Sequence, residues 1–181
     1  MEFRLHLHHW ERREPDWSAA AVSGFAAGAV LMVLELIWVS FGDSGGPWRI
    51  SQMVAALTLG QQEVLHAPAH VFQADIVAAA LLTHYGLGVA FGLALGVVVA
   101  GFRIERQPGA MALAGVLFGL ALYVINFYGV TTAFPWFAEL RGWVTLAAHV
   151  AFGLTTSLLY WRLARRGSTD PPSSAPSTPR R

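Results

Sequence analysis

Glu35, His84, Asn126 and His149 each fall inside a different long apolar run of this chain. A carboxylate at membrane depth costs roughly 2.5–3.5 kcal/mol on insertion scales, and residues of this kind mark proton relays, ion paths or ligand counter-charges. Glu beside His is an acid/base pair, and two histidines can be axial ligands to a b-type haem. A second group stands between the first two runs, with Glu63, His66 and His70 followed by Asp75. Its Glu-x2-His-x3-His spacing resembles helical metal-ligand spacing, and His with carboxylate suits zinc or copper. Pro68, between the two histidines, argues against a regular helix there. Near the start, His6, His8 and His9 beside Trp10 read as part of a solvated, charged tail.

The elements that must position these residues are transmembrane. Only 13% of the 181 residues are charged and 55% are hydrophobic, with mean hydropathy +0.48, whereas a soluble domain carries about 25% charged residues. Four runs reach the length of about 20 residues that a hydrocarbon core demands. They are 18–41, 75–101, 110–132 and 142–163. The first is too long for a cleaved signal peptide and has no A-x-A site after it. The chain therefore reads as an N-terminal tail (1–17), a four-transmembrane-helix domain (18–163) and a disordered C-terminal tail (164–181) rich in Ser and Pro. Between spans one and two, Trp48, Met53, Val54 and Leu57 recur at helical spacing after Pro47, which predicts a short interfacial or re-entrant helix.

Arginine gives the orientation. All twelve cationic side chains are Arg, a choice that reads as codon bias. Ten of them lie in the N-tail (Arg4, Arg12, Arg13), the second loop (Arg103, Arg106) and the C-tail (Arg162, Arg165, Arg166, Arg180, Arg181). Arg49 and Arg141 alone fall in the first and third loops. The positive-inside rule then puts both termini in the cytoplasm. Trp17, Trp38, Trp136, Trp143 and Trp161 fall near span ends, where amphipathic rings settle.

Small residues mark the faces that pack, since helices in lipid associate by close backbone approach. Gly24 and Gly28, then Gly88, Gly92 and Gly96, then Gly115 and Gly119, and finally Gly153 make such stripes. They do not separate packing within one chain from a homo-oligomer or a larger membrane complex. At 100° per residue, Glu35 lies about 20° from Gly28 and Asn126 about 20° from Gly119. His84 and His149 each precede a glycine by four residues and lie about 40° from it. All four therefore point into the bundle. At 1.5 Å per residue, Glu35, Asn126 and His149 lie roughly 9–10 Å below the external ends of their spans, and His84 about 13 Å. Tyr85, Tyr123 and Tyr128 are available as hydrogen-bond partners. Such a layer either fixes helix register or handles a proton, ligand, ion or cofactor.

Several chemistries are excluded or lack a signature. Without cysteine there are no disulfides, thiolate metal sites or cysteine nucleophiles. No phosphate-cradling glycine loop, G-x-S-x-G or H-E-x-x-H occurs. The arginines flank spans and form no nucleic-acid patch.

Leu-Glu-Leu-Ile-Trp at 34–38, Pro-Trp-Arg-Ile-Ser-Gln-Met at 47–53 and Leu-Leu-Thr-His-Tyr at 81–85 form a set with three later features. These are Asn-Phe-Tyr-Gly at 126–129, Phe-Pro-Trp-Phe-Ala-Glu-Leu-Arg-Gly-Trp at 134–143 and His149. Over about Ser18 to Leu163 the chain resembles a family of small four-span bacterial inner-membrane proteins, some labelled sodium:proline symporter. Symporters of that class use repeats with broken helices, and four spans without an internal repeat cannot build one alone. The leading expectation is a non-enzymatic membrane protein whose polar layer serves small-solute or proton-linked permeation, or an accessory subunit, with no resident cofactor. Haem b held by His84 and His149 is the alternative, although close glycine packing leaves little room for a macrocycle. A lipid-acting enzyme using Glu35 and a histidine is the third.

Overall fold

A computed structural model of the chain describes residues 14–41, 45–102, 104 and 107–167. The His6–His9 tract, Arg103, Arg106 and the Ser/Pro-rich C-terminal segment lie outside the described residues. Six α-helices follow in order: α1 (Trp17–Phe41), α2 (Arg49–Leu59), α3 (Gln61–Val64), α4 (Ala74–Phe102), α5 (Pro108–Val124) and α6 (Trp143–Gly167). A π-turn (Ile125–Gly129) and two 3-10 turns (Val130–Thr132 and Pro135–Leu140) join α5 to α6. Four stretches are long and apolar enough to cross a membrane: Trp17–Val39, Ala74–Phe102, Pro108–Thr132 and Trp143–Arg165. Large apolar side chains such as Phe25, Leu82, Leu113 and Leu117 stay exposed along them, as a bilayer solvent requires. The molecule is an all-α, four-helix membrane bundle.

Glycine decides which helices pair. α1 packs on α4, and α5 packs on α6. In the first pair, a Cβ on Gly92 would come within 2.7 Å of Gly24 Cα, so both positions must lack one. In the second, a Cβ on Gly119 would meet Val150 Cα at 2.8 Å, and one on Gly153 would meet Gly119 Cα at 2.9 Å. The two pairs join through α1 and α6, whereas α4 and α5 scarcely touch. The α1–α4 seam lies in the half of the bundle nearest the chain termini, where Ala20, Leu95, Val99, Met111 and Tyr160 make a closed core, whereas the α5–α6 seam reaches the backbone of His149.

At the opposite end, α2 lies along α4. Met53 and Ala56 of α2 share a core with Ile76, Ala80, Phe127 and Trp136. The Trp136 indole Nε1–H donates to the Met53 carbonyl at 3.1 Å, tying the last turn before α6 to α2. Gly60 ends α2 with φ 96° and ψ 150°, a backbone region open almost only to glycine.

Two expected boundaries move. The last helix runs to Gly167, past the expected end of its span at Leu163 and into the expected tail, because no Gly or Pro falls between Leu163 and Gly167. The third span is not one regular helix to Thr132. After Val124 the Phe127 carbonyl accepts from Thr131 Oγ1 at 3.1 Å and from Arg141 Nε at 2.6 Å. These contacts hold the backbone in a wider turn, and the 100° wheel stops applying there.

Asp16 caps α1. Its Oδ1 accepts from the Ala19 backbone N–H at 2.9 Å and from Ser18 Oγ at 2.8 Å. Those two donors, the Ala19 N–H first, hold the carboxyl below its ordinary value of 3.8. A depressed folded-state value stabilises the protein above the unfolded value, and that stabilisation is lost as pH falls through the folded one. Asp16→Ala is therefore expected to cost about 1 kcal/mol at neutral pH. The difference in melting temperature from wild type should shrink below pH 3.8. A constant difference across that range would contradict the cap.

Candidate functional site

Beyond the glycine seams the two helix pairs part and enclose a partly open cavity of about 1420 Å³. Its floor is apolar: Leu122 and Phe152 are buried there with Ala27, and Leu31 and Phe91 pack against them. Phe91 meets Phe152 edge-on, with ring centroids 6.4 Å apart. Just above this plug the cavity wall carries Glu35 from α1, His84 from α4, Asn126 from the π-turn and His149 from α6. The four polar residues singled out by the sequence thus line one space.

Their contacts define protonation. His84 Nε2 lies 2.9 Å from the Gly28 carbonyl. A carbonyl can only accept, so Nε2 carries the hydrogen and Nδ1 is left over. His149 Nδ1 lies 2.9 Å from the Thr145 carbonyl, which by the same logic fixes the hydrogen on Nδ1. Its Nε2 faces the Asn126 amide nitrogen at 3.4 Å, a long hydrogen bond with Asn126 as donor. His149 is buried, and the rings of Phe127 and Tyr123 approach it edge-on at 5.3 and 6.1 Å. His84 stands close enough to both Glu35 and His149 for their charges to be felt. The Glu35 carboxylate accepts no hydrogen bond from the described residues.

The tyrosines play other parts. Tyr85 stacks on Phe25 at 4.5 Å beside the cavity and does not line it. Residues 84 and 85 are one step apart, and 100° of helix rotation turns the tyrosine toward the seam between α1 and α4. The Tyr123 hydroxyl accepts from the Gly142 N–H at 3.3 Å. Tyr128 lies under the Arg141 guanidinium, 4.6 Å from its ring centroid.

The other metal candidates, Glu63, His66, His70 and Asp75, lie around α3 and the start of α4. Among the described residues no three His, Asp or Glu side chains gather as ligands could. The side chain of Glu63 lies outside the described residues. α3 stops at Val64 and turns follow through Pro68, so His66, His70 and Asp75 have no common helical face.

The rim was not legible as part of the site. Arg49 of α2 pairs with Glu139 at 3.1 Å, and both line the cavity with Arg141. Arg141 gives Nε to the Phe127 carbonyl and a terminal nitrogen to Thr131 Oγ1 at 2.9 Å. The only hint in the sequence was that these two arginines fall in the loops otherwise free of positive charge. The space itself also departs from expectation. Close glycine packing joins helices within each pair, at Gly24–Gly92 and at Gly119–Val150, yet the cavity between the pairs is larger than the 300–1,000 Å³ of ordinary ligand pockets.

Fold and site define a multi-pass membrane protein with a partly open cavity, largely apolar in its walls, that holds four polar residues and carries a charged rim. Comparison of the chain with protein-family models, curated proteins and solved structures finds no match.

Proposed function

We propose that the protein is a bacterial inner-membrane binding protein that holds a lipophilic molecule with one polar end. The polar end sits against Glu35, His84, Asn126 and His149, and the apolar body fills the rest of the cavity. The observation that carries this reading is a cavity of about 1420 Å³ whose wall is mostly Leu, Ile, Val, Phe and Trp, with Glu35, His84, Asn126 and His149 inside it and charged side chains otherwise at its rim. A site for a small hydrated solute would be smaller and polar throughout.

Binding is favoured over permeation by what lies beneath. Between the cavity and the termini end, Ser23, Thr156 and Ser157 are buried, and each hydroxyl donates to a carbonyl of its own helix. They offer no relay to a proton or ion. The test uses a neutral lipophilic fluorophore such as N-phenylnaphthylamine, titrated into protein held in amphipol. Saturable binding of one probe per chain is expected. Ala151→Trp, which fills the cavity from α6, should weaken it at least about tenfold, about 1.4 kcal/mol, with an unchanged melting temperature. Equal, unsaturable uptake by both proteins would remove the pocket.

The arginine distribution supports an orientation with both termini cytoplasmic and the cavity in the outer leaflet. A reporter fused after Gly167 is expected to be active only as a cytoplasmic marker. A periplasmic signal there would invert the site.

A second reading has one specific observation in its favour. His84 and His149 each give one ring nitrogen to a backbone carbonyl, the orientation that metal-ligating histidines take. That leaves His84 Nδ1 and, past its long contact with Asn126, His149 Nε2 for a haem iron. A Soret band in protein from haem-replete cells, lost in His84→Asn, would establish it, and a featureless visible spectrum would dismiss it.

A further inference from the structure

We infer that the cavity selects lipophilic monovalent cations, with Glu35 as their counter-charge; this rests on the binding reading above. Among the described residues, Glu35 is the only acidic or arginine side chain in the spans away from their ends. Every other polar group of its layer has a hydrogen-bond partner, whereas the Glu35 carboxylate accepts none from the described residues. His84 Nδ1 and the Asn126 carbonyl oxygen, from the same cavity wall, are acceptors too. A polar level that offers only acceptors lacks what an anion or a carbonyl ligand needs and suits a positive charge.

The walls agree with that sign. Trp38, Phe91, Phe134, Phe137 and Trp143 line the cavity, and the faces of such rings attract cations most strongly where water is excluded. Cations at the rim are already engaged, Arg49 by Glu139 and Arg141 by Phe127, Thr131 and Tyr128. Size and charge narrow the class further. The cavity is far too large and apolar for a metal ion, and one carboxylate balances one positive charge. A bulky organic cation with its charge shielded by apolar groups fits on both counts.

Around Glu35 the titratable and charged groups are His84 on α4, His149 on α6, and Arg49, Glu139 and Arg141 at the rim, with α5 followed only by neutral Asn126. Protons compete with a bound cation for the Glu35 carboxylate, so affinity should fall as pH is lowered.

Tetraphenylphosphonium and tetraphenylborate are nearly the same size and apolarity with opposite charge, and they test the inference on the unaltered full chain. Calorimetric titration in neutral detergent should show one phosphonium bound per chain, with proton release that varies with buffer, and no saturable site for the borate. Glu35→Gln should weaken phosphonium binding roughly a hundredfold, the size of effect seen on breaking a desolvated ion pair. The same variant should keep its affinity for neutral N-phenylnaphthylamine, which shows that it is folded. Borate binding as tightly as phosphonium, or phosphonium binding unchanged in Glu35→Gln, overturns the cation class and leaves the pocket standing if the neutral probe still binds. Failure of all three probes removes pocket and cation class together.

Discussion

Gly92→Ala is expected to cost about 3 kcal/mol or more and to lower the melting temperature in detergent sharply. Its new methyl would lie 2.7 Å from Gly24 Cα and 2.9 Å from Gly24 N, and it would also press on the Ala20 carbonyl. All three obstacles are backbone, so no side chain can swing aside and α1 must move off α4. Overpacking of this kind costs about 1–3 kcal/mol and occasionally more, and here one of the two main seams of the bundle absorbs it. Gly86 in the same helix is the control, because a Cβ there meets nothing within 4 Å. Gly86→Ala should leave stability unchanged or raise it by up to about 1 kcal/mol through lost backbone freedom in the unfolded chain. Thermal unfolding of the two variants side by side decides, and equal melting temperatures would mean that α1 and α4 are not held as described.

Arg141→Ala should be the next most damaging change, at about 2 kcal/mol, the scale of a charged hydrogen bond. It removes the 2.6 Å bond to the Phe127 carbonyl, the 2.9 Å bond to Thr131 Oγ1 and the cation over Tyr128. These contacts hold the π-turn that carries Asn126. Unfolding should therefore be accompanied by faster amide exchange over residues 125–132, with the glycine seams unaffected. Arg141→Lys is expected to rescue little, since one ammonium cannot reproduce a planar guanidinium that bonds two acceptors and stacks on a ring. Full rescue by lysine would show that the charge alone matters.

The same glycines illustrate how much was legible. A stripe of Gly24, Gly28, Gly88, Gly92 and Gly96 is visible in the sequence and signals close packing. It does not say which members touch. Gly24 and Gly92 are in backbone contact, whereas a Cβ on Gly28 would find Tyr85 and His84 at 3.6 and 3.7 Å, ordinary van der Waals distance. The helices have begun to part there, and the cavity begins at the same level.

Composition and hydropathy determined four spans, because only a helix satisfies its own backbone in lipid, and the length of an apolar run is a local property. The cost of a buried polar group, also a property of the single residue, made Glu35, His84, Asn126 and His149 the candidates to examine. A straight-helix wheel sufficed to turn Glu35, His84 and His149 inward, whereas Asn126 reaches the cavity from the π-turn. The wheel could not place Tyr85 against Phe25, nor foresee the π-turn after Val124, because both depend on partners far along the chain. Arg141 and Phe127, which hold that turn, are fourteen residues apart. The cavity is likewise a property of separations between helices, set by where backbone contact ends in each pair and by α2 spanning one end. No local pattern encodes an empty volume, so only the tertiary structure joined the four polar residues, the aromatic walls and the arginine rim into one site.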